Sequence, residues 1–176
     1  MNSTNNCIRV FVTHKPEDIH KVNKFIEIMK IYDGAERLKF VVVEDMPKGR
    51  DWRQFIHQQV VEANVLFFLM ISSAVRWEWC VYEAGLFAGS KTQESNSNVI
   101  VFFNPSLHSL PSPLENLQAV KTDQDDVEKF LRQFYGTTEL TGVEPPLNCH
   151  FAENLSIIHN VAQYICAVLA SNHQST

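Results

Sequence analysis

Trp79 and Glu83 stand four residues apart in the stretch Trp77-Glu78-Trp79-Cys80-Val81-Tyr82-Glu83-Ala84-Gly85-Leu86. On a helix that spacing puts an indole and a carboxylate on one face, about one turn apart. The indole could stack a flat ring while the carboxylate handles positive charge that develops beside it. Breaking an N-glycosidic bond generates such charge as an oxocarbenium-like centre, which a carboxylate beneath it stabilises. The apolar neighbours Trp79, Val81, Ala84, Leu86 and Phe87 could also desolvate Glu83, and desolvation raises a carboxyl pKa. Read alone, however, Glu83 is better explained as a solvated acid on an amphipathic helix, because most acids are exposed.

Other chemistries find little support. There is no glycine-rich phosphate loop ending in Gly-Lys-Ser or Gly-Lys-Thr, no Gly-x-Gly-x-x-Gly after the first predicted strand, no His-Glu-x-x-His and no Gly-x-Ser-x-Gly. The cysteines Cys7, Cys80, Cys149 and Cys166 are scattered, with no zinc spacing among them or the histidines, so no metal is expected. Dispersed thiols fit a reducing, cytoplasmic setting, and Cys80 reads as packing. His14 is the one histidine at a predicted strand end; His57, alone on a helix, reads as a surface or partly packed residue. Trp52 either packs in the core or stacks a second ring.

The elements that must position these residues follow a strand–helix rhythm. Strands are expected over 8–13, 38–43, 65–71 and 99–103, with a short edge strand over 117–120. The run 65–71 is almost wholly apolar, as a strand buried on both faces would be. Between them, Ile19, Val22, Phe25, Ile26 and Met29 form one helical stripe, and Trp52, Phe55, Ile56, Val60 and Ala63 another. Pro16, Glu17 and Asp18 suit the opening of the first helix and Asp33-Gly34 its end; Asp51 suits the cap of the second. Further helices are expected over 77–89, 123–135 and 151–169, with loops over 90–98, 104–113 and 137–148 and a polar tail or linker over 171–176.

The alternation predicts an α/β fold, a flavodoxin-like three-layer α/β/α sandwich with a five-stranded parallel sheet in the order 2-1-3-4-5 and an added C-terminal helix. In that order the crevice opens at the carboxyl ends of the first and third strands. One domain over 1–170 is expected, with a core over 8–135 and a helical extension over 149–170, since 176 residues with 45% apolar and 20% charged side chains suffice for one core. A net charge of −5 argues against non-specific nucleic-acid or anionic-membrane binding. Residues 1–6 carry no hydrophobic signal region and no apolar run approaches a membrane span, so no membrane association is expected. The two Asn-x-Ser/Thr sequons, at Asn2 and Asn154, are discounted on the same ground.

The set Val10-Phe11-Val12-Thr13-His14, then Val43-Glu44-Asp45 with Gly49, Trp52 and Ile56, then Phe68-Leu69-Met70-Ile71-Ser72, then Trp79-Cys80-Val81-Tyr82-Glu83 resembles a TIR (Toll/interleukin-1 receptor) domain of the prokaryotic NAD-cleaving branch. The resemblance covers roughly 8–135, and the Trp-Cys-x-x-Glu signature behind a strand ending in Ile-Ser is its most specific part. It implies cleavage of NAD+ at the nicotinamide–ribose bond, giving ADP-ribose or a cyclic isomer, with NAD+ as substrate and no cofactor. It implies that Glu83 is catalytic and that Thr13, His14, Lys15, Asp45, Trp52 and Trp79 line the substrate. It implies self-association that completes the site, other domains in a longer chain, and a role in innate immune or antiviral defence. The chain departs from the family pattern at Thr13, where Ser is usual, at Pro16, at Trp77, where Ser is common, and in its short second loop. Ala84-Gly85-Leu86 is also similar to nucleoside deoxyribosyltransferase-like proteins, which carry a glutamate on the corresponding helix. Three functions are therefore in play: NAD+ cleavage, a non-enzymatic TIR scaffold assembling through homotypic contacts, and a deoxyribosyltransferase-like N-glycosidase.

Overall fold

The computed structural model describes residues 7–33, 36–45, 49, 51–72, 76–91, 98–106, 110, 114, 117–144 and 154–170. Expectations for 1–6, Gly34, 92–97, 107–109, 111–113, 145–153 and 171–176, and for 46–48, 50 and 73–75 in the second and third loops, lie outside the described residues.

Five strands, β1 (Ile8–Thr13), β2 (Leu38–Val41), β3 (Val65–Met70), β4 (Val99–Phe103) and β5 (Gln118–Lys121), form one sheet in the order β2-β1-β3-β4-β5. All four pairings are parallel. The expected fold class and strand order are therefore present. Successive side chains leave a strand on opposite faces, and here both faces are covered. Ile8, Val10, Val12, Val65, Phe67, Leu69, Ile100 and Phe102 enter one core layer; Phe11, Leu66, Phe68, Met70, Val99 and Val101 enter the other. That double burial is why β3 reads as an unbroken apolar run.

The first layer is closed by α1 (Ile19–Ile31), α4 (Gln124–Gly136) and α5 (Leu155–Ala170), the second by α2 (Trp52–Glu62) and α3 (Glu78–Ser90). Helix α5, expected as an addition, is built into its layer: Ile158, Val161, Ala162, Ile165 and Leu169 are all buried in the core they share with α1 and α4. Phe67 is the hub of this layer. Its ring meets those of Phe25, Phe40, Phe102, Phe130 and Phe134 at centroid distances of 5.4–6.3 Å, mostly edge to face. Where the chain leaves the layer, the buried Tyr135 hydroxyl donates to the Met29 carbonyl at 2.6 Å and ties α4 to α1.

Element ends follow local hydrogen bonding. Asp51 caps α2 by accepting from the Arg53 amide, as expected. Asp123 caps α4 through the Asp126 amide, so it precedes the helix rather than opening it. Just past α1, the Asp33 side chain accepts from the Leu38 amide at 2.6 Å and ties the end of the helix to the start of β2. The second strand is shorter than expected. Asp45 accepts from the Val42 amide at 3.1 Å and its own amide donates to the Val42 carbonyl, which folds residues 43–45 into a single 3-10 turn. Among the described residues no helix is long and apolar enough to cross a membrane.

Phe67→Ala should cost about 3–5 kcal/mol, the usual loss for truncating a fully buried phenylalanine. Chemical denaturation followed by circular dichroism would measure it; a loss no larger than a surface substitution would contradict the hub role.

Candidate active site

The carboxyl ends of β1 and β3 meet at the point where the strand order reverses, the usual ligand crevice of open parallel sheets. Thr13 is the last residue of β1, and Glu83 lies in the second turn of α3, which follows β3. Both are 1% exposed. The Thr13 hydroxyl donates to Glu83 Oε2. The Trp79 indole N–H donates to Oε1 at 2.8 Å. The spacing of four residues thus does join Trp79 and Glu83, but edge to carboxylate: the indole holds the acid through its N–H.

Burial pushes the Glu83 carboxyl up to about 7. The hydrogen bonds from Thr13 and Trp79 oppose the rise, because they favour the anion, and the nearby charge of Glu44 adds to it. Glu83 is therefore no solvated surface acid. It is a desolvated carboxyl that switches charge near neutral pH.

Around it the expected site residues divide. The ring of His14 is buried, with Nδ1 2.8 Å from the Lys15 carbonyl and Nε2 3.3 Å from Glu44 Oε2. Lys15 places its ammonium 5.1 Å from the centre of the Trp77 ring. Trp77 itself is core, packed on Phe68. Trp52 is 40% exposed and so does not belong to the buried stripe of α2; its ring lies 4.9 Å from that of Trp79. Trp79 in turn meets Tyr82 at 5.1 Å, and the guanidinium of Arg53 lies 5.2 Å from the Trp52 ring. Between α2 and α3 these groups frame a cleft of about 290 Å³ lined by Trp52, Arg53, Ile56, Trp79, Tyr82 and Leu86. Trp79 is the shared wall: it lines the cleft and bonds Glu83.

Asp45 is exposed, and its Oδ2 accepts from the Val42 amide, so it shapes the turn after β2. The neighbouring acid Glu44, not singled out from sequence, is the one brought to His14. Phe11 pairs with Val41 at the end of β2, and the 3-10 turn over 43–45 that follows presents Glu44 to His14. Asp18 was also missed. It makes no side-chain cap to α1 and is 2% exposed. Burial pushes its carboxyl up and the Ser72 side chain, just past β3, pulls it back, so it spans the two loops of the crevice. Cys80 donates its thiol to the His14 carbonyl at 3.5 Å, and burial raises it to about 11, so it stays a protonated packing group.

A larger hollow of about 400 Å³ lies at the β5 edge, lined by Val120, Asp126, Lys129, Phe130 and Arg132 among others. Its acid, Asp126, is already paired with Lys129 at 3.4 Å. Convergence of perturbed polar groups, not volume, identifies a site, and that convergence is at Glu83. Among the described residues no group of three His, Cys, Asp or Glu side chains is arranged to hold a metal ion.

No protein-family model matches the chain, and no curated protein matches it. Solved structures similar to it include the azoreductase AzrA, at 8% identity and a TM-score of 0.36. Another is an azoreductase from Bacillus anthracis strain Sterne, at 12% identity and a TM-score of 0.35. In each pair 93% of this chain and 99% of the other are covered. Likeness at that level carries no argument about what this chain does.

The raised carboxyl makes a stability prediction. The folded state holds the Glu83 proton up to about pH 7, whereas an unfolded glutamate releases it near its ordinary value of 4.5. Between those values the folded state binds more protons, so this group's contribution falls as pH rises. The full difference is on the order of 3 kcal/mol. Glu83→Gln, which stays neutral, should raise the melting temperature at pH 8 and leave it nearly unchanged at pH 4. A gain independent of pH would show that the carboxyl is not desolvated.

Proposed function

We propose that the chain is a TIR-type NAD+ glycohydrolase or ADP-ribosyl cyclase that breaks the nicotinamide–ribose bond. The observation that carries this reading is the Glu83 carboxyl, desolvated at the mouth of the sheet and held by Thr13 and Trp79. An anion fixed in a low-dielectric crevice stabilises a developing oxocarbenium centre far better than one in water, and needs no reorganisation to do so. Nicotinamide leaves as a neutral base, so the departing group needs no proton. Breaking the bond then calls for a negative charge under the ribose and a surface for the flat rings. Trp79 and Trp52 supply that surface in the cleft beside Glu83, and Lys15, at the end of β1, is a cation suited to the diphosphate. Asp45, expected at the substrate, acts through the turn that carries Glu44. The biological setting that goes with this reading is cytoplasmic, in innate immune or antiviral defence signalling, with TIR–TIR contacts between copies and further domains in a longer chain.

One observation favours a second reading, a non-enzymatic scaffold. Both Glu83 oxygens are engaged and the side chain is covered, while Trp52, Trp79 and Tyr82 stand 40–55% exposed on adjoining helices, as residues awaiting a partner surface do. The two readings meet if assembly moves Trp79 off the carboxylate. A deoxyribosyltransferase-like N-glycosidase would use the same carboxylate on a different nucleoside.

Incubation of concentrated protein with NAD+ should release nicotinamide, and Glu83→Ala should abolish the release. Equal rates in the two proteins would remove Glu83 from the chemistry. Self-association without nicotinamide release would select the scaffold, and turnover of a deoxynucleoside but not NAD+ would select the transferase. Chromatographic separation of ADP-ribose from its cyclic isomers fixes the product.

The working form of Glu83 is the anion, so the rate should fall as pH drops through about 7. Trp79→Phe removes a hydrogen bond that lowers the Glu83 pKa. The acidic limb of the kcat profile should therefore move to higher pH in that variant; an unmoved limb would rule out ionisation of Glu83 as its origin.

A further inference from the structure

The imidazole of His14 has its proton positions constrained. Nδ1 lies 2.8 Å from the Lys15 carbonyl oxygen, which only accepts, so Nδ1 carries a hydrogen. Nε2, on a side chain only 3% exposed, lies 3.3 Å from Glu44 Oε2, so the buried ring meets the carboxylate edge-on and sets its direction. His14 and Glu44 therefore form one pair.

Its position matters as much as its composition. His14 follows directly on Thr13, which bonds Glu83, and the charge of Glu44 is felt at Glu83. The other acids near the crevice are committed. Asp45 holds the Val42 amide, Asp18 is buried against Ser72, and Glu83 has both oxygens filled. Among these described acids, Glu44 pairs contact with a buried ring with access to solvent, its side chain being 43% exposed.

We propose that Glu44 is the general base that activates water in the cleavage reaction, and that His14 is the positioning residue that orients it. The inference rests on the N-glycosidic reading of Glu83. In the step, the bond between the anomeric carbon and the pyridinium nitrogen breaks with its electron pair passing to nitrogen. The water oxygen bonds to the anomeric carbon above the charge that Glu83 stabilises. One water proton passes to the Glu44 carboxylate, which is exposed enough to return it to solvent. Two carboxyl groups then divide the work, one for charge and one for the proton.

A nucleophile with no proton to lose separates this role from a structural one. Wild type and Glu44→Gln are assayed with NAD+ for nicotinamide release to water and, with added acetylpyridine, for exchange of the pyridine base. Exchange needs Glu83 but no base. The substitution should lower hydrolysis about 100-fold, the lower end of what a positioned general base contributes, while exchange persists. His14→Gln should lower the hydrolysis-to-exchange ratio in the same direction. Asp45→Ala, which loosens the turn, should depress both reactions together. If Glu44→Gln leaves hydrolysis intact, or lowers hydrolysis and exchange equally, Glu44 is not the base while the cleavage reading stands. If wild type neither hydrolyses nor exchanges NAD+, the cleavage reading fails and the base assignment falls with it.

Discussion

A single carboxyl group taken out of water organises this protein's candidate site. Glu83 is held between a hydroxyl from the end of β1 and an indole from its own helix. Neither contact compensates fully for lost hydration, so the carboxyl remains far above its ordinary value. A fold tolerates such a group only where surrounding packing overrides its cost. Here the packing is the two-faced burial of β3 and the seating of α3 through Cys80, Ala84 and Phe87. The desolvated acid costs the fold stability once it ionises, a cost of the kind that functional sites commonly carry.

The sheet register does the assembling. Parallel pairing of β1 with β2 and with β3 brings three connections to one end of the sheet, and each delivers different side chains. The β1 loop brings Thr13, His14 and Lys15. The turn after β2 brings Glu44, because Asp45 folds the chain back on Val42. The helix after β3 brings Trp79 and Glu83. The aromatic layer around Phe67 stands behind this end and fixes the strands against α1 and α4, so the loops inherit positions from a rigid base.

The tryptophans show how one residue type serves separate ends. Trp77 is buried on Phe68 and stabilises the entry to α3. Trp79, two residues later, is half exposed and joins the cleft to the carboxylate. Trp52 comes from α2 and completes the aromatic wall. The wall and the acid share Trp79, so whatever occupies the cleft and whatever occupies the carboxylate must compete for, or cooperate through, the same indole. That shared residue links the catalytic and the assembly readings of the site.

Period and punctuation in the sequence determined the architecture. The apolar strand run at 65–71 and the helical stripes of α1, α4 and α5 could pack in few other ways, and the cap at Asp51 is a local hydrogen bond that needs no tertiary partner. The pairing of Trp79 with Glu83 was legible for the same reason, since residues four apart on a helix must be neighbours. What the sequence left open is what depends on contacts between distant segments. A hydrogen bond that holds Glu83 comes from Thr13, seventy positions away. The division between Glu44 and Asp45 depends on which carboxylate meets a backbone amide at the end of β2, and adjacent acids look alike until that amide is in place. The exposure of Trp52 and the burial of Asp18 likewise follow from which elements cover them. Helical spacing and capping are local, so sequence carries them; burial and charge coupling are sums over neighbours, so only the folded chain decides them.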